Sequence, residues 1–231
     1  MALILNFDTS TTICSVSLSE DTEILAYREN AEGKNHATLL TVFIKEVLKE
    51  AGKSPSDLDA ISVSKGPGSY TGLRIGVSTA KGMAYALNIP VIALPTLRIM
   101  AHGYLSVNDF IDEQSILCPM IDARRMEVFS AFFTKNLEEF RETTADIISS
   151  DSYADIRKDH KLIIFGDGAA KCENVLTGDE IKIDSEFHIS SLHMPALSLQ
   201  KFRNQDFENV AYFEPFYLKD FVATVPKRKV I

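Results

Sequence analysis

Asp8 closes a short apolar run, residues 3–7, and opens a hydroxyl-rich stretch, Asp8-Thr9-Ser10-Thr11-Thr12. A carboxylate at the end of a strand can orient a water or a magnesium-bound phosphate. Aspartate and threonine are also ordinary turn residues, so the pattern alone does not separate a site from a turn. Asp122 repeats the arrangement after a second apolar run and is followed by Ala123-Arg124-Arg125. Between the two lies Ser64-Lys65-Gly66-Pro67-Gly68-Ser69-Tyr70-Thr71-Gly72-Leu73-Arg74-Ile75-Gly76, with its glycines two to four residues apart. Glycines after a strand permit positive φ, or let backbone N–H groups approach a neighbour or an anion at a helix N-terminus. The stretch lacks the Gly-Lys-Ser/Thr ending of a P-loop and the full dinucleotide fingerprint. Two readings stand: a tight strand-to-helix turn with close helix packing, and a phosphate cradle.

Other chemistry finds no constellation. His36, His102, His160, His188 and His193 form no spaced cluster, and Cys14, Cys118 and Cys172 are scattered outside any metal-ligand spacing. No serine or cysteine has a base in a recognisable nucleophile context. Neither a catalytic residue, a metal nor a cofactor is expected. At 231 residues, 45% hydrophobic and 24% charged, the sequence describes a globular protein able to bury a substantial core. A net charge of −8 argues against the whole surface binding nucleic acid, leaving room for a local patch such as Lys227-Arg228-Lys229. The odd cysteine count fits a reducing compartment. The first apolar run is broken at Asn6 and Asp8, so neither a signal peptide nor a membrane span is expected and the location is read as cytoplasmic.

Periodicity supplies the elements that position these residues. Residues 3–7, 13–19 and 22–29 read as three strands, the second half-buried because Cys14, Val16 and Leu18 alternate with serines. Residues 35–51 form a helix closed by Gly52 as its C-cap. Its apolar positions Leu40, Phe43, Ile44, Val47, Leu48 and Ala51 span about 140° at about 100° per residue, broader than one sheet contact requires. Ser54-Pro55-Ser56-Asp57 opens a short helical turn, and residues 60–64 are the strand feeding the glycine stretch. A helix over 73–87 follows, small-residued, with Arg74 and Lys81 as its charges on one narrow solvent stripe. Residues 91–94 form a strand and 95–105 a helix. Residues 108–114 link to a second half with strands at 116–122, 126–134, 145–148 and 161–165 and a helix at 153–158. Residues 172–195 carry no firm pattern, 194–202 are helical, and the aromatic stretch 210–221 packs back on the core. The halves, 1–107 and 108–231, share a plan without a clear sequence repeat.

Asp8-Thr9-Ser10, the glycine stretch and Asp122-Ala123-Arg124-Arg125 together resemble the bacterial TsaB family, over roughly the first 135 residues. The resemblance implies an α/β fold, the duplicated actin/hexokinase/Hsp70-like plan of two α/β subdomains with mixed sheets. It implies a non-catalytic scaffold or activator in the complex that makes N6-threonylcarbamoyladenosine at position 37 of tRNA. Implied partners are TsaD, as a heterodimer, and TsaE through that pair. The chain alone is a homodimer, tRNA is bound only within the complex, and no membrane is involved. Pairing runs through the helices at 35–51 and 73–87, with Leu40, Phe43, Ile44, Val47, Leu48, Ile75, Thr79, Gly82 and Met83 as interface residues. One edge of the first helix, Phe43 and Val47 or Ile44 and Leu48, faces the partner and the other the sheet. Asp8, Thr9, Ser10, Gly66, Gly68 and Asp122 are then remnants of nucleotide-side loops. Thr96 and Met100 stand where the related TsaD family carries its metal-binding histidines, and neither replaces an imidazole. The alternative is a weak ATPase or small-molecule kinase of the same fold. Against it, the Asp122 loop has no glycine to let phosphates approach, and two arginines stand at its mouth.

Overall fold

The apolar run that ends at Asp8 becomes β1 (Leu3–Asp8) in the computed structural model, which describes residues 1–33 and 35–219. β2 (Cys14–Glu20) and β3 (Glu23–Asn30) continue it as an antiparallel meander, and α1 (His36–Glu50) crosses to β4 (Ala60–Gly66), parallel to β1. α2 (Tyr70–Leu87) leads to β5 (Val91–Pro95), parallel to β4, and α3 (Thr96–Val107) ends the first half. β6 (Ser115–Asp122), β7 (Glu127–Phe133) and β8 (Glu139–Ile147) form a second antiparallel meander. α4 (Ala154–Arg157), β9 (Lys161–Phe165), β10 (Ile181–Asp184) and α5 (Pro195–Arg203) complete the chain's regular elements among the described residues.

The two sheets have strand orders β3-β2-β1-β4-β5 and β10-β9-β6-β7-β8. Read from the meander edge inwards these are one order with one set of directions, so the fold is duplicated, two α/β halves each with a mixed sheet. The repeat hides in the sequence because the crossovers differ. The fifteen residues of α1 correspond to the four of α4, and the eighteen of α2 to a 3₁₀ turn at Ala170–Cys172.

Side-chain alternation along β1 separates the layers. Leu3, Leu5 and Phe7 face α1 and α2, while Ile4 faces the core that α3 and α5 share with one side of the second sheet. The far side of that sheet buries Cys118, Met120 and Phe132 against Tyr153, Ile156 and Cys172. The halves are therefore joined through one apolar layer, in which Tyr104 stacks on Phe165 with centroids 4.1 Å apart.

Several expectations need correction. β2 is buried from Cys14 to Ser19 rather than half-buried. Its serines meet the polypeptide returning from the second half, not water. Ser17 Oγ donates to the Ser191 carbonyl (2.9 Å), the Ser191 N–H donates to Ser15 Oγ (2.9 Å), and Ser198 Oγ on α5 lies 2.6 Å from Asn6 Oδ1 and 2.8 Å from Ser62 Oγ. A polar row is stable inside because its partners are built in. β8 begins at Glu139, several residues before the expected 145, because a polar edge strand lacks the apolar signal. β10 lies in the stretch that showed no pattern. α1 is capped by Ala51, with Gly52 following at φ +64°. The aromatic stretch does return: Phe213 is buried, the Phe216 N–H donates to the Lys65 carbonyl (2.6 Å), and the Tyr217 ring lies 4.8 Å from that of Tyr70. Lys227-Arg228-Lys229 lies outside the described residues.

Candidate functional site

β1 and β4 run side by side, so their C-terminal ends bring the Asp8 loop and the glycine loop together. The contact is backbone on backbone. A Cβ at Gly68 would collide with the Ser10 carbonyl, one at Gly72 with the Thr9 carbonyl, and one at Gly76 with the Thr9 hydroxyl at 2.5 Å. Thr9 Oγ1 donates to the Gly72 carbonyl (2.8 Å), and the Ser69 N–H donates to the Ser10 carbonyl (2.6 Å). Of these glycines only Gly66, at φ +117°, needs a left-handed backbone. At Gly68, Gly72 and Gly76 close approach is what excludes a side chain.

Several amides of the glycine loop are occupied by the protein. The Gly66 N–H donates to Thr96 Oγ1 (3.1 Å), the Gly72 N–H to Ser69 Oγ (3.3 Å), and the Leu73 N–H to the Ser69 carbonyl (2.8 Å). Asp8 is 0% exposed and accepts from the Ser10 hydroxyl (2.8 Å) and amide (3.2 Å). Burial raises its pKa, against the lowering effect of these serine contacts. Asp8, Thr9 and Ser10 thus sit beneath the glycine loop rather than facing an open cleft. Thr96 and Met100 are both buried, Thr96 spent on the glycine loop and Met100 against Gly166.

Asp122 lies at the end of β6 in the second half, exposed, and accepts from the Arg124 N–H (2.6 Å) and from Lys171. Lys171, 49 residues downstream, also donates to the carbonyls of Arg125 (2.8 Å) and Glu127 (3.0 Å). Lys171 did not stand out in the sequence. The signal for Asp167 was Gly166-Asp167-Gly168 after an apolar strand, which is equally an ordinary turn. In the fold Asp167 lines a cavity of about 130 Å³ between the halves, with Thr11, Thr12, Met100 and His188. Its buried Oδ1 has no hydrogen-bond partner among the described residues.

Burial pushes the Asp167 carboxyl up to about 6, with the nearby Asp122 carboxylate adding to the rise. A carboxyl whose folded pKa exceeds its unfolded one binds more protons when folded. Its contribution is therefore most favourable at low pH and is lost between about pH 4 and 6. Asp167→Asn is expected to stabilise the protein at pH 7.5 by about 1–2 kcal/mol, with little effect at pH 4, measured by urea unfolding at both.

The helix residues divide. Leu40, Ile44, Val47 and Leu48 are buried in the chain's own core, and Phe43 is half-buried. Most of the broad arc thus faces inwards, since α1 packs on β2, β3 and α2 together, and Phe43 alone of these five stays partly accessible. On α2, Ile75, Thr79 and Met83 are half-buried and Gly82 is exposed, with open space where a Cβ would stand. Lys81 does not share a solvent stripe with Arg74, because its Nζ donates to the Phe213 carbonyl (2.8 Å). The outward side of α2 is instead Thr71, Arg74, Ser78, Gly82, Tyr85 and Ala86, with Tyr85 84% exposed. No helix among the described residues is long and apolar enough to cross a membrane.

Comparison with known proteins places this geometry. The family model "TsaD: tRNA N6-adenosine threonylcarbamoyltransferase" matches residues 29–227. A relative named tRNA threonylcarbamoyladenosine biosynthesis protein TsaB, from Buchnera aphidicola subsp. Schizaphis graminum, is 31% identical over 187 residues, covering 78% of this chain and 87% of that one. A relative of the same name from Haemophilus influenzae is 28% identical over 95% of this chain and 94% of its own. The chain spans about half the length of the Escherichia coli relative it matches, 55%, at 34% identity. Among solved structures, YeaZ from Pseudomonas aeruginosa has the same fold, with a TM-score of 0.78, 24% identity and coverage of 94% of this chain and all of that one.

Proposed function

From the premise that the chain belongs to the TsaB family, we propose that it is a non-catalytic subunit of the machinery that makes threonylcarbamoyladenosine in tRNA. It pairs with the TsaD enzyme of its organism, engages TsaE through that pair, and pairs with itself when alone. The observation that carries the non-catalytic reading is the closure of the Asp8 loop: its carboxylate is 0% exposed, and the neighbouring amides of Gly66, Ser69 and Gly72 are spent on protein acceptors. An ATPase or kinase needs those groups free for a metal-bound phosphate.

The pairing surface is the outward side of α2 together with the accessible edge of α1 at Phe43. Small residues there, Ser78, Gly82 and Ala86, allow a partner backbone to come close, and Tyr85 supplies an aromatic anchor. Mixed with the TsaD relative of its own organism, the chain is expected to leave gel filtration as a complex larger than either, and alone to release no phosphate from ATP. Separate elution, together with ATP turnover of about one per second lost in Asp8→Ala, overturns the proposal in favour of an enzyme.

A further inference from the structure

Arg124 and Arg125 follow one another in the turn between β6 and β7 with φ of 71° and 51°. Left-handed backbone is unfavourable for a residue with a Cβ, and glycine or asparagine would hold such a turn with less strain. The chain instead places two long cations there and ties the turn down. The Arg124 N–H is held by Asp122, the Glu127 N–H donates to the Arg124 carbonyl (3.2 Å), and Lys171 bridges the carbonyls of Arg125 and Glu127.

The local charge is as directed as the backbone. Asp122 is paired with Lys171, and Glu127 with Lys219, so the acids beside the turn are neutralised. Arg28, Arg141 and Arg157 each pair with a carboxylate. Arg124 and Arg125 are exposed, and their guanidinium groups make no hydrogen bond or ion pair among the described residues. The result is two uncommitted, forked cations on a backbone tied down at both ends. Guanidinium forks match phosphate oxygens bidentately.

We propose that this turn contacts the phosphate backbone of tRNA held by the assembled complex. The inference rests on the functional reading above, and it explains how a chain of net charge −8 could touch RNA only with its partner present. The overall field repels the polyanion until another subunit brings it within reach.

The test is tRNA binding by the complex of this chain with its TsaD relative, titrated from 50 to 300 mM NaCl. The variant Arg124→Asn with Arg125→Gly removes both charges while suiting the turn's backbone. It is expected to assemble normally, to bind tRNA about tenfold more weakly at low salt, and to lower the log–log salt slope by about 1.5. Arg124→Lys with Arg125→Lys, which keeps the charges, is expected to retain the slope. Unchanged affinity and slope in the neutral variant overturns the proposal. So does weakened assembly with an unchanged slope, which assigns the arginines to an acidic protein surface. Failure of the wild-type chain to assemble overturns the functional reading, and this inference with it.

Discussion

Gly72→Val is expected to cost about 4 kcal/mol or more and to lower the melting temperature by about 10 °C. The expectation follows from the nearness of the Thr9 carbonyl, which a Cβ at position 72 would strike. The obstacle is backbone, fixed by the pairing of β1 with both β2 and β4, so it cannot rotate away as a flexible side chain would. Valine adds a branched side chain at a contact already closed to a methyl group. The same substitution would break the bond from Thr9 Oγ1 to the Gly72 carbonyl. Gly82→Ala is the control: no atom lies within 4 Å of its Cβ position, and alanine in mid-helix is expected to stabilise by about 0.5–1 kcal/mol. A thermal melt in which Gly72→Val equals wild type would show that the glycine loop is not packed as described, and would favour the phosphate cradle.

A charge on either side of the two-helix layer is expected to fail in a different way. Ile44 is 6% exposed and packs in the core beneath α1. Ile44→Asp would place a carboxylate there without a partner, and should unfold the protein or cost about 4 kcal/mol. Gly82→Asp places the same charge on the outward side of α2, where open space receives it. It should leave the circular dichroism spectrum and melting temperature near wild type while abolishing self-pairing and pairing with the TsaD relative. Gel filtration of both variants separates the cases. If folded Gly82→Asp still pairs, the outward side of α2 is not the interface.

The sequence made the strand-end aspartates, the glycine loop and the helices legible, because each rests on local spacing. What it could not show depends on contacts distant along the chain. The serines of β2 alternate as those of a solvent-facing strand would, yet their partners are 174 and 176 residues away. The width of the apolar arc on α1 was legible; that most of it would be used by β2, β3 and α2 was not, since periodicity counts apolar positions and not neighbours. Lys171 is one lysine among many until β6 and β9 pair and bring it to Asp122. Gly68, Gly72 and Gly76 suggested positive φ or close approach; the fold uses them for close approach, a distinction that only the position of Thr9 and Ser10 supplies.

The measurement that bears most directly on the account is formation of threonylcarbamoyladenosine on tRNA by the purified TsaD relative, supplied with its threonylcarbamoyl donor and TsaE, with and without this chain. The account predicts product when wild-type chain is present, none when it is omitted or replaced by folded Gly82→Asp, and none from the chain alone. Product at an equal rate without the chain, or made by the chain in the absence of the TsaD relative, would contradict it.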